Sequence, residues 1–212
     1  MIAYGCCVGS WEKFGRFVAP NIKQRPFIAI SGQKSISVAY NKILNAYAGY
    51  QGPNDLDQLE AVVLLHDDLE MIDPDIEDKI RAAIEPGVGL IGVAGGGPSL
   101  WWWNHDPIGH QMTDTRMVAF GEQRVGDVDM IEGSFMVFTP WAIRDLRFDA
   151  RYEFLGYDDV CMEARNMGMR VVVADIHTHH HSTLGFKSEE VKAMWDRSEL
   201  LFESKWGKPC ES

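Results

Sequence analysis

The chain has 212 residues, 46% hydrophobic and 24% charged, with a formal net charge of −11. That length suits one domain with a substantial core, and the acidic balance disfavours broad electrostatic binding to nucleic acid or anionic lipid. No stretch approaches the ~18 uninterrupted apolar residues of a membrane span, and the start MIAYGCCVGSWEK has no basic leader before an apolar run, so no secretory signal is expected. The four cysteines, two of them adjacent (Cys6, Cys7), show neither disulfide nor metal-ligand spacing, which points to reduced thiols in a cytoplasmic protein.

Taken in order, IAYGCCV reads as a first strand, followed by a short segment around SWEKFGRFV and a second strand, PFIAIS. SISVAYNKILNAYAG then sets Ile36, Tyr40, Ile43, Leu44 and Tyr47 three and four apart, the pattern of an amphipathic helix. AVVLL is a third strand. DPDIEDKIRAAIEPG is a helix with Ile76, Ile80, Ala83 and Ile84 on one face and Pro-Gly as its stop, and VGLIGVAGG is a fourth strand. Further on, TRMVAFG and DMIEGSFMVFT read as strands, PWAIRDL and DDVCMEARNMG as helices, and RVVVADI as the last strand. Ser188 is placed to cap a final amphipathic helix that Gly207 and Pro209 end. Strands alternating with helices argue for an α/β domain with a mainly parallel central sheet flanked by helices, over residues 1–187, with 188–212 as a C-terminal helix on the same domain.

In such sheets ligands bind outside the carboxyl ends of the strands. AVVLL releases His66, Asp67 and Asp68 there, and paired carboxylates are hard oxygen ligands for Mg²⁺ or Mn²⁺, which bridge to phosphate. An Asp at such a place also serves as a plain cap. Asp158 and Asp159 open a helix, where Asp complements the dipole or acts as a general base. In ADIHTHHHS, alternation puts His177, His179 and His181 on one face and His180 on the other, and imidazoles there suit metal or phosphate. ISGQKS, with Ser31 and Gly32, follows a strand and opens a helix, so its amides are candidates for phosphate or base contact. It lacks the dinucleotide-binding and Walker glycine patterns, and no nucleophile elbow is present. GVAGGGPSLWWWNHD offers a glycine loop, including Gly95, and three tryptophans, of which Trp103 is a candidate platform for a sugar or base.

In their order, these pieces resemble the GT-A fold glycosyltransferases, closest to the family 2-like group. The resemblance runs from about residue 27 to 185 through FIAISGQ, AYNKILNAYAG, VVLLHDDLEM, IGVAGGG and the long block VDMIEGSFMVFT through FLGYDDVCMEARNMG to HTHHHS. It implies a Rossmann-like GT-A fold and a nucleotide-diphosphate sugar donor. It also implies Mn²⁺ or Mg²⁺ at a DXD-like motif, and an inverting transfer to an acceptor hydroxyl with an Asp base. Carried over residue by residue, it makes Asp68 a metal ligand with Asp67 beside it. Asp159 becomes the base and Asp158 an orienting group, and His181, with His179 next, joins the metal or diphosphate. Asn41 in the helix after the first loop joins Ser31, Gly32, Gly95 and Trp103 on the donor side. His66 stands where many members have the first Asp, and Cys161 where a further Asp is frequent.

The competing readings are a metallohydrolase built on the His cluster with Asp67 and Asp68, and a sugar- or nucleotide-binding module without turnover. The acceptor is not specified by the sequence. It would be held by loops such as Trp101–Arg116 or by a partner subunit in a homo-oligomer.

Overall fold

The computed structural model describes residues 1–22, 24–49, 59–98, 105–114, 117–182 and 188–207. In chain order the elements are β1 (Ile2–Val8), α1 (Trp11–Lys13), a π-helical run (Phe14–Val18), α2 (Ala19–Ile22), β2 (Phe27–Ser31), α3 (Ile36–Ala48), β3 (Ala61–His66), β4 (Leu69–Met71), α4 (Ile76–Ala83), β5 (Val88–Gly92) and β6 (Ala94–Gly96). There follow β7 (Ile108–Thr113), β8 (Met117–Ala119), β9 (Gly126–Val128), β10 (Met130–Ile131), β11 (Phe135–Phe138), α5 (Pro140–Asp145), α6 (Gly156–Asn166), β12 (Arg170–Val173), β13 (Thr178–His180) and α7 (Glu189–Trp206).

Seven strands form the main sheet in the order β2-β1-β3-β11-β5-β12-β9. β1 pairs in parallel with β2 and β3, and β12 with β5, but β11 runs antiparallel between β3 and β5, and β9 antiparallel to β12. The expected mainly parallel sheet is therefore a mixed one. β9 and β11 run in the same direction, against β5 and β12, and the chain passes between them through β10 and the 132–134 segment without the helical crossover of a βαβ unit.

Why AVVLL is apolar throughout follows from its place: Val62 and Leu64 enter one core, and Ala61, Val63 and Leu65 the other. α3, α5 and α6 cover the first face through Tyr40, Ile43, Ala142, Val160 and Ala164, and Phe202 of α7 joins the same core. Val18, Ile22, Ile76 and Ile80 cover the second. Each such fully buried Ile or Val stabilises the fold by about 1.5–3 kcal/mol. Ser35 and Ser188 cap α3 and α7 through Val38 N and Val191 N, as the sequence pattern expects.

A second, six-stranded sheet carries the order β10-β6-β7-β13-β4, with β8 beside β7. β13 runs parallel to β7, with His179 opposite Met112 and His180 opposite Thr113, and antiparallel to β4, with His179 opposite Glu70. The sequence pattern ends its strands at RVVVADI, so β13 and its partners are additions. Among the described residues no helix is long and apolar enough to cross a membrane.

Candidate functional site

The chain passes from β1 to β2 on one side and then crosses to β3 on the other, so the order switches between β1 and β3. At that switch point the carboxyl ends of β1 and β3 lie together, with Cys7 opposite His66. The 132–134 turn joins the same edge, where His66 N donates to Ser134 O at 3.0 Å.

The two members of the first acidic pair do different work. Asp67 Oδ2 accepts from Gly9 N (2.8 Å) and Ser10 N (2.5 Å), fixing the turn that leads into α1. Asp68 is left for side chains. Its Oδ2 meets Lys13 Nζ at 2.9 Å and its Oδ1 meets His180 Nε2 at 3.2 Å. Burial alone would raise its pKa, but the hydrogen bonds from His180 and Lys13 and the charges of His180 and His66 outweigh it and hold the carboxyl well below the usual range. Burial lowers the pKa of His180, yet its bond to Asp68 and the nearby Glu132 carry it above the ordinary histidine value. His66 goes the other way, pushed down by burial and by His180. One ligand atom from each of His66, Asp68 and His180 lies within 4.8 Å of the others.

His66 Nε2 shares a 2.8 Å hydrogen bond with Tyr157 Oη at the start of α6. Gly133 makes that reach possible: a Cβ there would lie 2.2 Å from the Tyr157 ring. Just before, the buried Leu155 holds a left-handed conformation (φ 58°), unusual for a branched residue and found where a fold over-determines its backbone. Next comes Asp158, buried, whose pKa burial raises to about 8, helped by the charges of Glu132 and Asp159. Glu132 is itself held by Ser134 N (2.9 Å), Ser134 Oγ (2.5 Å) and Gln111 Nε2 (3.1 Å).

Asp159 has no exposure at all, and its partners Lys205 and Trp206 lie on α7. Lys205 Nζ meets its two oxygens at 2.8 and 3.1 Å, and Trp206 Nε1 donates to it at 2.8 Å. It ties α7 to α6, while Asp158 lies in the field of Glu132. The side chains of His179 and His181 do not meet the Asp68 carboxylate, although His181 N donates to Asp68 O at 2.8 Å, and with Glu70 they bring three ligand-type atoms within 4.8 Å of one another. His181 bridges Asp114 Oδ1 and Glu70 Oε2, each at 2.9 Å, with its ring stacked between His179 and Phe17 at 3.7 Å. The alternation read from the sequence holds, but Asp68 lies on the side of His180.

The other expected residues divide. Ser31 and Gly32 (φ 66°) end β2 at the same sheet edge, exposed. Asn41 spends both ends of its amide on Phe148, donating to its carbonyl at 2.7 Å and accepting from its N–H at 2.8 Å, so it clamps α3 to the core. Gly95 is buried between strands, where a Cβ would lie 2.3 Å from Met130 O, so the strands' close approach requires a glycine there. Trp103 lies outside the described residues. Lys13, Glu132 and Tyr157 were not expected, His180 stands in the expected histidine cluster but on the face opposite His181 and His179, and the glycine in EGS is a local sign of a close approach. A groove of about 380 Å³ lies elsewhere, along Ala83, Val125, Arg170 and Asp175. It lacks the convergent acid, imidazole and buried carboxyl of the switch point, which is the better candidate.

No protein-family model matches this chain. It is similar to the streptomycin biosynthesis protein StrF of Streptomyces griseus, 28% identical over 201 residues that span 88% of this chain and 69% of that protein. Among solved structures, A197 from STIV superposes with a TM-score of 0.51 over 88% of this chain and 99% of its own, at 11% identity, a likeness of fold alone. A glycosyltransferase involved in glycosylation of the major capsid of PBCV-1 overlaps 92% of this chain and 98% of its own at 12% identity, but its TM-score of 0.46 is too loose to carry weight.

Proposed function

We propose that the protein is a metal-dependent glycosyltransferase that moves a sugar from a nucleotide-diphosphate donor to an acceptor hydroxyl. The observation that supports it most is the pairing of an anionic Asp68, flanked by His66 and His180, with a buried, proton-holding Asp158 on one sheet edge at a topological switch point. Two carboxyls whose surroundings drive their pKa values apart mark a division between charge binding and proton transfer. The motif order in the sequence and the similarity to a protein named for streptomycin biosynthesis agree with a biosynthetic transfer.

One carboxylate oxygen and two imidazoles fit a divalent cation such as Mn²⁺. Lys13 occupies the second oxygen of Asp68, which leaves Oδ1 as the ligand. When His66 Nε2 donates to Tyr157 Oη, its Nδ1 lone pair is free to serve, so the second partner selects the ligating nitrogen. A bound cation would neutralise the diphosphate and stabilise the leaving group. Lys13 adds a fixed positive charge at the same place. Asp158 accepts the proton of the incoming hydroxyl from its carboxylate form, the minority form at neutral pH, so transfer should speed up as pH rises toward 8. The amides around Ser31 and Gly32 and the turn held by Asp67 line the donor side.

The test is a thermal-shift and turnover screen with UDP-, GDP-, CMP- and dTDP-sugars, with and without Mn²⁺ or Mg²⁺. Wild type should show metal-dependent donor stabilisation and slow donor hydrolysis. Asp68→Ala should lose both, and Asp158→Asn should keep donor binding while losing transfer by about 10²-fold or more. Donor turnover by Asp68→Ala at the wild-type rate would overturn the assignment.

A further inference from the structure

Away from the switch point, a second group of ligand-type side chains converges where β7 and the approach to β13 lie side by side. Two residues back along the parallel register of β13 on β7, His177 stands beside His110. Their rings meet edge to face with centroids 4.7 Å apart. Asp175 Oδ1 lies 3.6 Å from His110 Nδ1 and 3.6 Å from His177 Nε2. Those separations are too long for hydrogen bonds.

His110 is the telling member. Its side chain is 5% exposed, and its Nδ1 is a buried polar atom with no hydrogen-bond partner. An orphaned buried nitrogen is costly and calls for an occupant. Two ligands bound tetrahedrally to one zinc at about 2.0–2.1 Å lie about 3.3 Å apart, close to the spacing found here. We propose that His110, Asp175 and His177 form a second divalent metal site, suited to Zn²⁺ or a similar borderline metal.

The donor set, two imidazole nitrogens and one carboxylate oxygen, is the composition of open zinc sites, which keep a fourth position for water or an anion. The geometry agrees: His110 closes the inner wall, while Asp175 and His177 are half exposed and leave the outer side to solvent. The backbone is held before any ion arrives. His110 N donates to Val93 O at 3.1 Å, His177 N donates to Asp73 Oδ2 at 3.0 Å, and Ile176 N closes a tight turn on Ala174 O at 2.8 Å. Asp73 is itself fixed by Lys79 at 2.6 Å. The site shares no residue with the His66–Asp68–His180 group, so it stands whether or not the proposed sugar transfer does.

The experiment uses the full chain, stripped with a chelator and titrated calorimetrically with Zn²⁺ alone, then with Co²⁺ to read the visible absorption of a low-coordinate site. Asp175→Asn and His177→Gln change only half-exposed side chains, and circular dichroism checks that both variants fold. Wild type should bind one equivalent more than either variant, Asp68→Ala should keep that equivalent, and the Co²⁺ absorption should fall by this site's share in His177→Gln while Asp68→Ala retains that share. Equal stoichiometry and equal spectra in wild type, Asp175→Asn and His177→Gln would overturn the site, as would a wild type that binds no Zn²⁺.

Discussion

The end of β3 and the start of α6 each carry two adjacent aspartates, and each divides them the same way. Asp67 and Asp159 are consumed by the fold, one by the Gly9 and Ser10 amides, the other by Lys205 and Trp206. Their neighbours Asp68 and Asp158 face the same sheet edge in opposite electrostatic settings. Lys13 and His180 keep Asp68 anionic, whereas burial beside Glu132 and Asp159 leaves Asp158 holding its proton up to a pH of about 8. Identical side chains thus end as an anion and as a proton holder because of what surrounds them, and a dipeptide in a sequence does not say which member becomes which.

The sharpest break of that comparison is at Asp159. Its carboxylate is fully buried, and Lys205 keeps a second partner in Glu163 at 2.7 Å. Asp159→Ala should destabilise the protein by about 4 kcal/mol, within the range for breaking a buried pair. Chemical denaturation would check it, and a fully stable but inactive variant would instead favour Asp159 as the base.

Asp158 should report through pH. Its folded pKa, about 8, lies above the ordinary carboxyl value of 3.8, so the native state binds more protons than the unfolded chain between those limits. This contribution to stability is complete below about pH 4 and is lost as pH rises through 8. Asp158→Asn removes the titration, so its stability relative to wild type should climb by on the order of 3 kcal/mol from pH 4.5 to 8.5. Parallel stability curves for the two proteins would show that the carboxyl is not held protonated.

Gly133 tests the link between the two acidic ends. An alanine Cβ would press on the Tyr157 ring and push it off His66, at a cost of about 2 kcal/mol. Burial depresses the His66 pKa, so loosening this contact should raise it toward the ordinary histidine value in an NMR titration.

Much of the frame was legible because its patterns are local. β1, β2, β3, α3, α4 and α7 follow apolar runs or helical spacing with recognisable caps. β7 and β13 were not legible: IGHQMT and THH are short and polar, and become strands only by pairing with each other and with β4 and β8. That blindness explains the site residues too. The His alternation was visible, but which face met Asp68 depended on β13 lying against β4, and so His180 was passed over for His179 and His181. Lys13 and Tyr157 come from the turn after β1 and the start of α6, and only tertiary packing brings them to one edge.

The smallest effect is expected at Asp67, and it separates the two members of the first pair. Asp67→Ala frees the Gly9 and Ser10 amides, which solvent can partly satisfy at that exposed turn, so the stability loss should be about 1 kcal/mol. Because that turn carries Lys13 toward Asp68, the variant should also weaken donor binding modestly, while the same substitution at Asp68 should abolish turnover and cost more stability, since it leaves Lys13 and His180 without their carboxylate. Equal losses of donor turnover from both substitutions would mean that Asp67 contacts the donor directly and that the division of labour within the pair is wrong.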